Sequence, residues 1–157
     1  MTPSAIEIVK QFYTAFQNGN SQAMKACYNE QALFSDPVFG LLNYTEVSAM
    51  WEMLLKRSKG NLSITFDDII QNNDIVCVTW IAEYSFGKEN RRVKNIIRAK
   101  IKCKDGKIIE HHDSFDLWKW NRMALGWKGV LLGWTPFMKR KIKAQALQSL
   151  NTYLNRT

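Results

Sequence analysis

Lys107 to Trp120 reads KIIEHHDSFDLWKW, and how this stretch is read decides the fold. It follows an Asp105-Gly106 pair, a strong hairpin-turn signal, so it opens as a strand. Side chains alternate across a strand. Ile109, His111, Asp113, Phe115 and Leu117 then share one face. Ile108, Glu110, His112, Ser114, Asp116, Trp118 and Trp120 share the other. Both faces mix apolar and ionisable groups, whereas a simple half-buried strand sorts them. Polar groups set among aromatics point to a strand that reaches a pocket or a partner surface.

Working outward, the preceding strand, Arg91 to Cys103, has a sharper pattern. Val93, Asn95, Ile97, Ala99, Ile101 and Cys103 face the core, and Arg92, Lys94, Arg98, Lys100 and Lys102 face water. Before it, Ile75 to Phe86 places Val76, Val78, Trp80, Ala82, Tyr84 and Phe86 on one side. Leu62 to Ile70 is a further strand, and Ala32 to Gly40 is a loop or short strand. Upstream the period becomes helical. Ser4 and Glu7 form a capping box ahead of Ala5, Ile8, Val9, Phe12, Tyr13 and Phe16. Asn20 or Ser21 opens a short helix, and Thr45 caps a third, from about 46 to 58. Beyond the central stretch, residues 121–134 read as a short helix and tight loop over the sheet. Thr135-Pro136 then starts a final helix striped by Ile142, Ala146, Leu150 and Leu154. Helices followed by an antiparallel meander give an α+β domain whose concave interior is a natural pocket.

The chain of 157 residues suits one domain. Its three cysteines, Cys27, Cys77 and Cys103, lack metal or redox spacing and read as free buried thiols. No signal-like opening and no run of eighteen apolar residues is present, so a soluble, cytoplasmic protein is expected. The net charge of +8 is unevenly placed. Residues 1–116 hold fourteen basic and fourteen acidic residues, and the last 41 hold eight basic and none acidic. Lys139, Arg140, Lys141 and Lys143 crowd the start of the last helix, against its dipole. A basic face beside Trp134, Phe137 and Met138 suits a protein partner or an anionic membrane surface. No nucleic-acid motif accompanies it, and nucleic acid is not expected.

Phe12-Tyr13-Thr14-Ala15-Phe16, Ser35-Asp36-Pro37, and Asp105-Gly106-Lys107-Ile108-Ile109-Glu110 leading into Asp113-Ser114-Phe115-Asp116 carry a resemblance. Over roughly residues 4–120 the sequence resembles the nuclear transport factor 2 superfamily, which includes ketosteroid isomerases, limonene-epoxide hydrolases and SnoaL-type polyketide cyclases. The resemblance implies a cone-shaped barrel, with a curved antiparallel sheet wrapped around the N-terminal helices, and a homodimer formed through the sheet. The single domain would span 1–157, with its core at about 4–120 and a basic extension, including an additional C-terminal helix, over 121–157.

The resemblance also singles out site residues. Asp36 matches the general-base aspartate of the isomerases, where an apolar setting would raise its pKa. The isomerase tyrosine falls at Phe12, which has no hydroxyl, and the isomerase's protonated aspartate falls near Ile97 or Arg98. The oxyanion donors of that reaction are therefore missing. Asp113 matches one epoxide-hydrolase carboxylate, but its strand partners would be Trp80 and Ala82. A cyclase needs one acid/base group in an apolar pocket, and His111 or Asp113 would serve. The candidate catalytic residues are thus Asp36, His111 and Asp113, with Phe12, Trp80, Asn95 and Phe115 against a small apolar molecule. No cofactor or metal is expected. Two alternatives stay open: Asp36 as an acceptor of backbone hydrogen bonds before Pro37, and His111 with Asp113 as a structural network.

Overall fold

The computed structural model describes residues 1–157. Helix α1 (Ala5–Gln17) starts at Ser4, whose hydroxyl accepts from Glu7 N while the Glu7 carboxylate accepts from Ser4 N. Its Ile8, Val9, Phe12, Tyr13 and Phe16 are buried, a stripe wide enough to include two consecutive aromatics. Asn20 caps α2 (Ser21–Cys27). The chain then enters β1 (Tyr28–Asp36), turns, and returns as β2 (Gly40–Asn43). Helix α3 (Tyr44–Ser58) is capped by Asn43, not by Thr45. Asn43 and Glu46 make a second reciprocal box, and it begins the helix two residues ahead of the expected start.

Three long strands follow, β3 (Ser63–Asn72), β4 (Ile75–Phe86) and β5 (Arg91–Lys104), then β6 (Lys107–Ser114). The Asp105-Gly106 turn has φ of 51° and 74°, the left-handed pair that a two-residue hairpin needs. β5 alternates as its pattern demands: Val93, Asn95, Ile97, Ala99 and Ile101 are buried.

The expected antiparallel barrel is not formed. The six strands make one open sheet in the order β2-β1-β6-β5-β4-β3. β1 runs parallel to β6, so the sheet is mixed. Closure would require β2 to bond to β3. Instead α1 packs on β3, β4, β5 and β6, and α3 on β1 and β2, so the helices occupy the space between the two edges. Phe12 and Trp51 meet across these helices at 6.0 Å, and both touch the His111 ring of β6.

The central stretch departs from its expected alternation in two places. First, the β5–β6 register shifts between Lys102 and Cys103, inserting one extra residue on β6. This bulge lets Ile108 and His111 both face inward, although strand parity alone separates them. Second, the strand ends at Ser114. Asp116 accepts from Lys119 N and opens α4 (Leu117–Leu125), which buries Leu117, Trp120, Asn121 and Ala124 at helical spacing. Gly126 ends α4, and α5 (Trp127–Leu132) folds back on it. Thr135 caps α6 (Pro136–Leu154), with Pro136 in its first turn. α6 docks on α3 through buried Leu150 and a Lys56 Nζ to Tyr153 Oη hydrogen bond of 2.8 Å. No helix is long and apolar enough to cross a membrane.

Capping of α4 by Asp116 carries a direct expectation. Asp116→Ala should lower unfolding stability by about 1 kcal/mol, and Asp116→Asn by much less, in urea denaturation. Equal and negligible effects would place Asp116 outside a helix cap.

Candidate functional site

Five elements converge on the His111 imidazole. Tyr28, at the α2–β1 junction, places its Oη 2.7 Å from Nδ1. Trp51 of α3 donates from Nε1 to that same Oη at 3.1 Å. On the other side, Nε2 lies 3.1 Å from Asp113 Oδ1. Trp80 of β4 donates from Nε1 to Oδ1 at 3.3 Å. Phe12 of α1 and Phe34 of β1 present ring edges to the imidazole at 5.4 and 5.1 Å. His111 is fully buried and Asp113 nearly so. A buried carboxylate and imidazole are tolerated in such an apolar setting because each has hydrogen-bond partners.

Two further groups are felt by this network. The Tyr13 hydroxyl is buried with no partner. Tyr13 packs against Phe66, Trp80 and His111, and burial, then the negative charge of Asp113, holds its pKa well above the ordinary value. The second group is Asp36, at the end of β1. Its Oδ1 accepts from Val38 N at 2.9 Å and from Phe39 N at 2.6 Å, the turn-forming arrangement expected of an aspartate before proline. Burial nevertheless pushes its pKa up to about 6, against those backbone donors and with help from the charge on Asp113. The turn contacts and a raised proton affinity therefore coexist in one side chain.

The remaining candidates divide. Phe12 and Trp80 are inside the aromatic cluster, and Asn95 is buried on the same sheet face. Phe115 is half-buried where two apolar clusters meet, together with Val38 and Tyr84. The second cluster, Val93, Leu117, Trp120 and Ala124, lies under α4. Trp120 Nε1 donates to Tyr84 Oη at 2.6 Å, fixing the helix over that end of the sheet. His112 points outward to Ser35 and Glu110. No three His, Cys, Asp or Glu side chains are grouped as a metal would need. The cysteines are free, Cys27 buried and the other two half-buried, and burial pushes the Cys103 thiol up to about 11.

The sequence reading passed over Tyr13, Tyr28 and Trp51. Tyr13 sits beside Phe12 in the apolar stripe of α1, and nothing in its spacing marks its hydroxyl as special. The wide buried stripe of α1 takes in both. Tyr28 and Trp51 look like ordinary core residues, and nothing in their local spacing shows that they chain to a histidine 83 and 60 positions away.

A family profile described as a SnoaL-like domain matches residues 9–111. The chain belongs to this SnoaL-like family. Solved structures show the same fold. A LEH-like epoxide hydrolase of M. tuberculosis is 21% identical, with 82% of this chain and 90% of that one covered and a TM-score of 0.59. A hypothetical protein of Catenulispora acidiphila with a ketosteroid isomerase-like fold, in complex with trimethylamine, is 16% identical, at 87% and 100% coverage and a TM-score of 0.64. TerC, co-crystallised with polyporic acid, is 15% identical, at 75% and 95% coverage and a TM-score of 0.64. No curated protein matches the chain. The buried aromatic and polar cluster is consistent with small-molecule binding in a domain of this class.

The raised Asp36 pKa sets a pH dependence. The folded protein holds this proton more tightly than the unfolded chain does. Its contribution to stability is therefore greatest at low pH and is lost as pH rises from 3.8 through about 6. Asn keeps the acceptor oxygen for Val38 N and Phe39 N. Asp36→Asn should thus remove this slope and raise stability above pH 7 by about 1–3 kcal/mol, measured by denaturation at several pH values. An unchanged slope in the variant would contradict the assignment.

Proposed function

We propose that the protein binds a small apolar molecule bearing a carbonyl group, and that Asp36 acts on it as an acid/base in an isomerase- or cyclase-type reaction. Two observations support this reading: Tyr13 Oη is a buried hydroxyl without a partner, and Asp36 is a half-buried carboxyl of raised pKa, each acted on by the charge of Asp113. In the proposed step the Asp36 carboxylate takes a proton from the carbon beside the carbonyl. Electron density moves onto the oxygen, which accepts a hydrogen bond from Tyr13 Oη. Asp36 then returns the proton at a second carbon, and no net charge is gained or lost. A base with a pKa near 6 suits this work at neutral pH.

His111 is a positioning residue here, holding Asp113 between itself and Trp80. In this reading Phe12 and Trp80, which pack on Tyr13, meet the apolar body of the ligand, with Asn95 and Phe115 as further contacts. Other domains of this fold supply precedent for small ligands: one was solved with trimethylamine and another with polyporic acid. The missing oxyanion donor at Phe12 is met in this reading by Tyr13, one position along the same helix.

Because the buried Tyr13 Oη has no partner in the protein, Tyr13→Phe should not destabilise the fold and should raise its stability by about 1 kcal/mol in urea denaturation. Against a panel of apolar ketones, followed by quenching of tryptophan fluorescence, the same variant should bind its ligand roughly fivefold to tenfold more weakly. Asp36→Asn should bind but fail to exchange the proton beside the carbonyl, as read by deuterium uptake. The proposal is overturned if no ketone binds the wild type, or if neither variant alters binding or exchange.

A further inference from the structure

Trp127, Val130, Leu131, Leu132, Trp134 and Phe137 fall within eleven residues, and each is 48–69% exposed. Large apolar side chains elsewhere on the surface, such as Leu33, Leu41 and Ile96, stand apart in sequence on separate strands. A concentration of this kind marks an interaction site.

Packing forces these side chains outward. α5 lies so close to α4 that a Cβ on Gly129 would fall 2.0 Å from the Asn121 carbonyl oxygen. A Cβ on Gly133 would meet Gly129 O at 2.5 Å. Asn121 Nδ2 donates to Gly133 O at 2.8 Å and holds the hairpin shut. The inner side of α5 is thus glycine, and the bulky residues project into solvent as part of a built surface.

The rim of this surface is cationic. After Asp116 the chain has no acidic residue, and the Asp116 carboxylate is engaged in capping α4. Arg122 stacks over the Trp118 ring at 4.1 Å. Arg91, Arg92, Lys119 and Arg122 line a concavity of about 720 Å³ with Val130, where Glu89 is the one acid. Lys139 shares a second concavity, of about 360 Å³, with Trp118 and Trp134. Lys139, Arg140 and Lys141 oppose the dipole of α6, so an external anion there offsets an internal cost.

We propose that α4, α5 and the first turns of α6 dock on an anionic phospholipid bilayer. The tryptophans, leucines and Phe137 enter the interfacial layer, and the lysines and arginines meet headgroup phosphates. A second copy of the chain fits less well, because its own copy of this surface brings the same cations into contact. A nucleic-acid backbone leaves the apolar centre unmatched. The second concavity also contains Pro37 and Phe115, so docking turns the Asp36 end of the sheet toward the lipid. An apolar ligand dissolved in the bilayer would then have a short route to it.

The test is co-sedimentation of the full chain with vesicles of phosphatidylcholine alone or mixed with phosphatidylglycerol, at low salt and at about 0.5 M salt. Binding to the anionic vesicles should be at least about tenfold tighter than to neutral ones and should weaken sharply with salt. Lys139→Glu with Lys141→Glu, and separately Trp127→Ser with Trp134→Ser, should each reduce partitioning by at least roughly tenfold while circular dichroism is unchanged. If a variant does not fold, brominated lipid is used on the wild type, where tryptophan quenching is expected. The proposal is overturned by no binding to anionic vesicles at low salt, by equal binding to both vesicle types, by folded variants that bind like the wild type, or by absent quenching.

Discussion

The hydrogen-bonded run Trp51–Tyr28–His111–Asp113–Trp80 is the constraint on which the structure depends. An imidazole, a carboxylate and a phenol are expensive to bury, and unpaired they would cost several kcal/mol. Each is satisfied by a partner from a different element: α3, the start of β1, β6 and β4. The polar requirement therefore fixes how these elements meet far more narrowly than apolar packing would. Aromatic rings complete the shell, and one ring edge or face after another is set against His111.

The proposed function rests on what lies where this run stops. Toward the α2 side, Tyr28 and Trp51 close it. Toward the open end of the sheet it reaches Asp113, whose charge is felt by Tyr13 and by Asp36. Asp36 is half-buried and holds its turn through two backbone donors, so its position is rigid while its proton affinity is raised. α4 then covers the same end through Trp120 and Leu117, and the apolar residues that do not fit beneath it are displayed on α5. The Asp36 turn and the cationic apolar surface are neighbours: Val38 and Phe115 pack against the α4 cluster, and Pro37 lines the same concavity as Trp134 and Lys139.

Much of this was legible in the residues. The alternation of β5, the Asp105-Gly106 turn, the Ser4–Glu7 box and the Thr135-Pro136 start each rest on local rules, and local rules decided them. The inward pairing of His111 and Asp113 followed from period-two spacing. Three things were not legible. The end of β6 at Ser114 was hidden because the apolar run Phe115 to Trp120 suits either period, and only Asp116 as a cap breaks the tie. The extra residue at the β5–β6 bulge moved Ile108 inward without any glycine or proline to announce it. The open, mixed sheet depends on β1 pairing with β6 across some 70 intervening residues, a contact that no short window contains.

The most direct test is a carbon-13 titration of the Asp36 carboxyl in the wild type and in Asp113→Asn. The account predicts a wild-type midpoint near 6, lowered but still raised in the variant, because burial is the larger cause and the Asp113 charge a smaller one. A wild-type midpoint in the ordinary carboxylate range, or one that Asp113→Asn leaves unmoved, would contradict it.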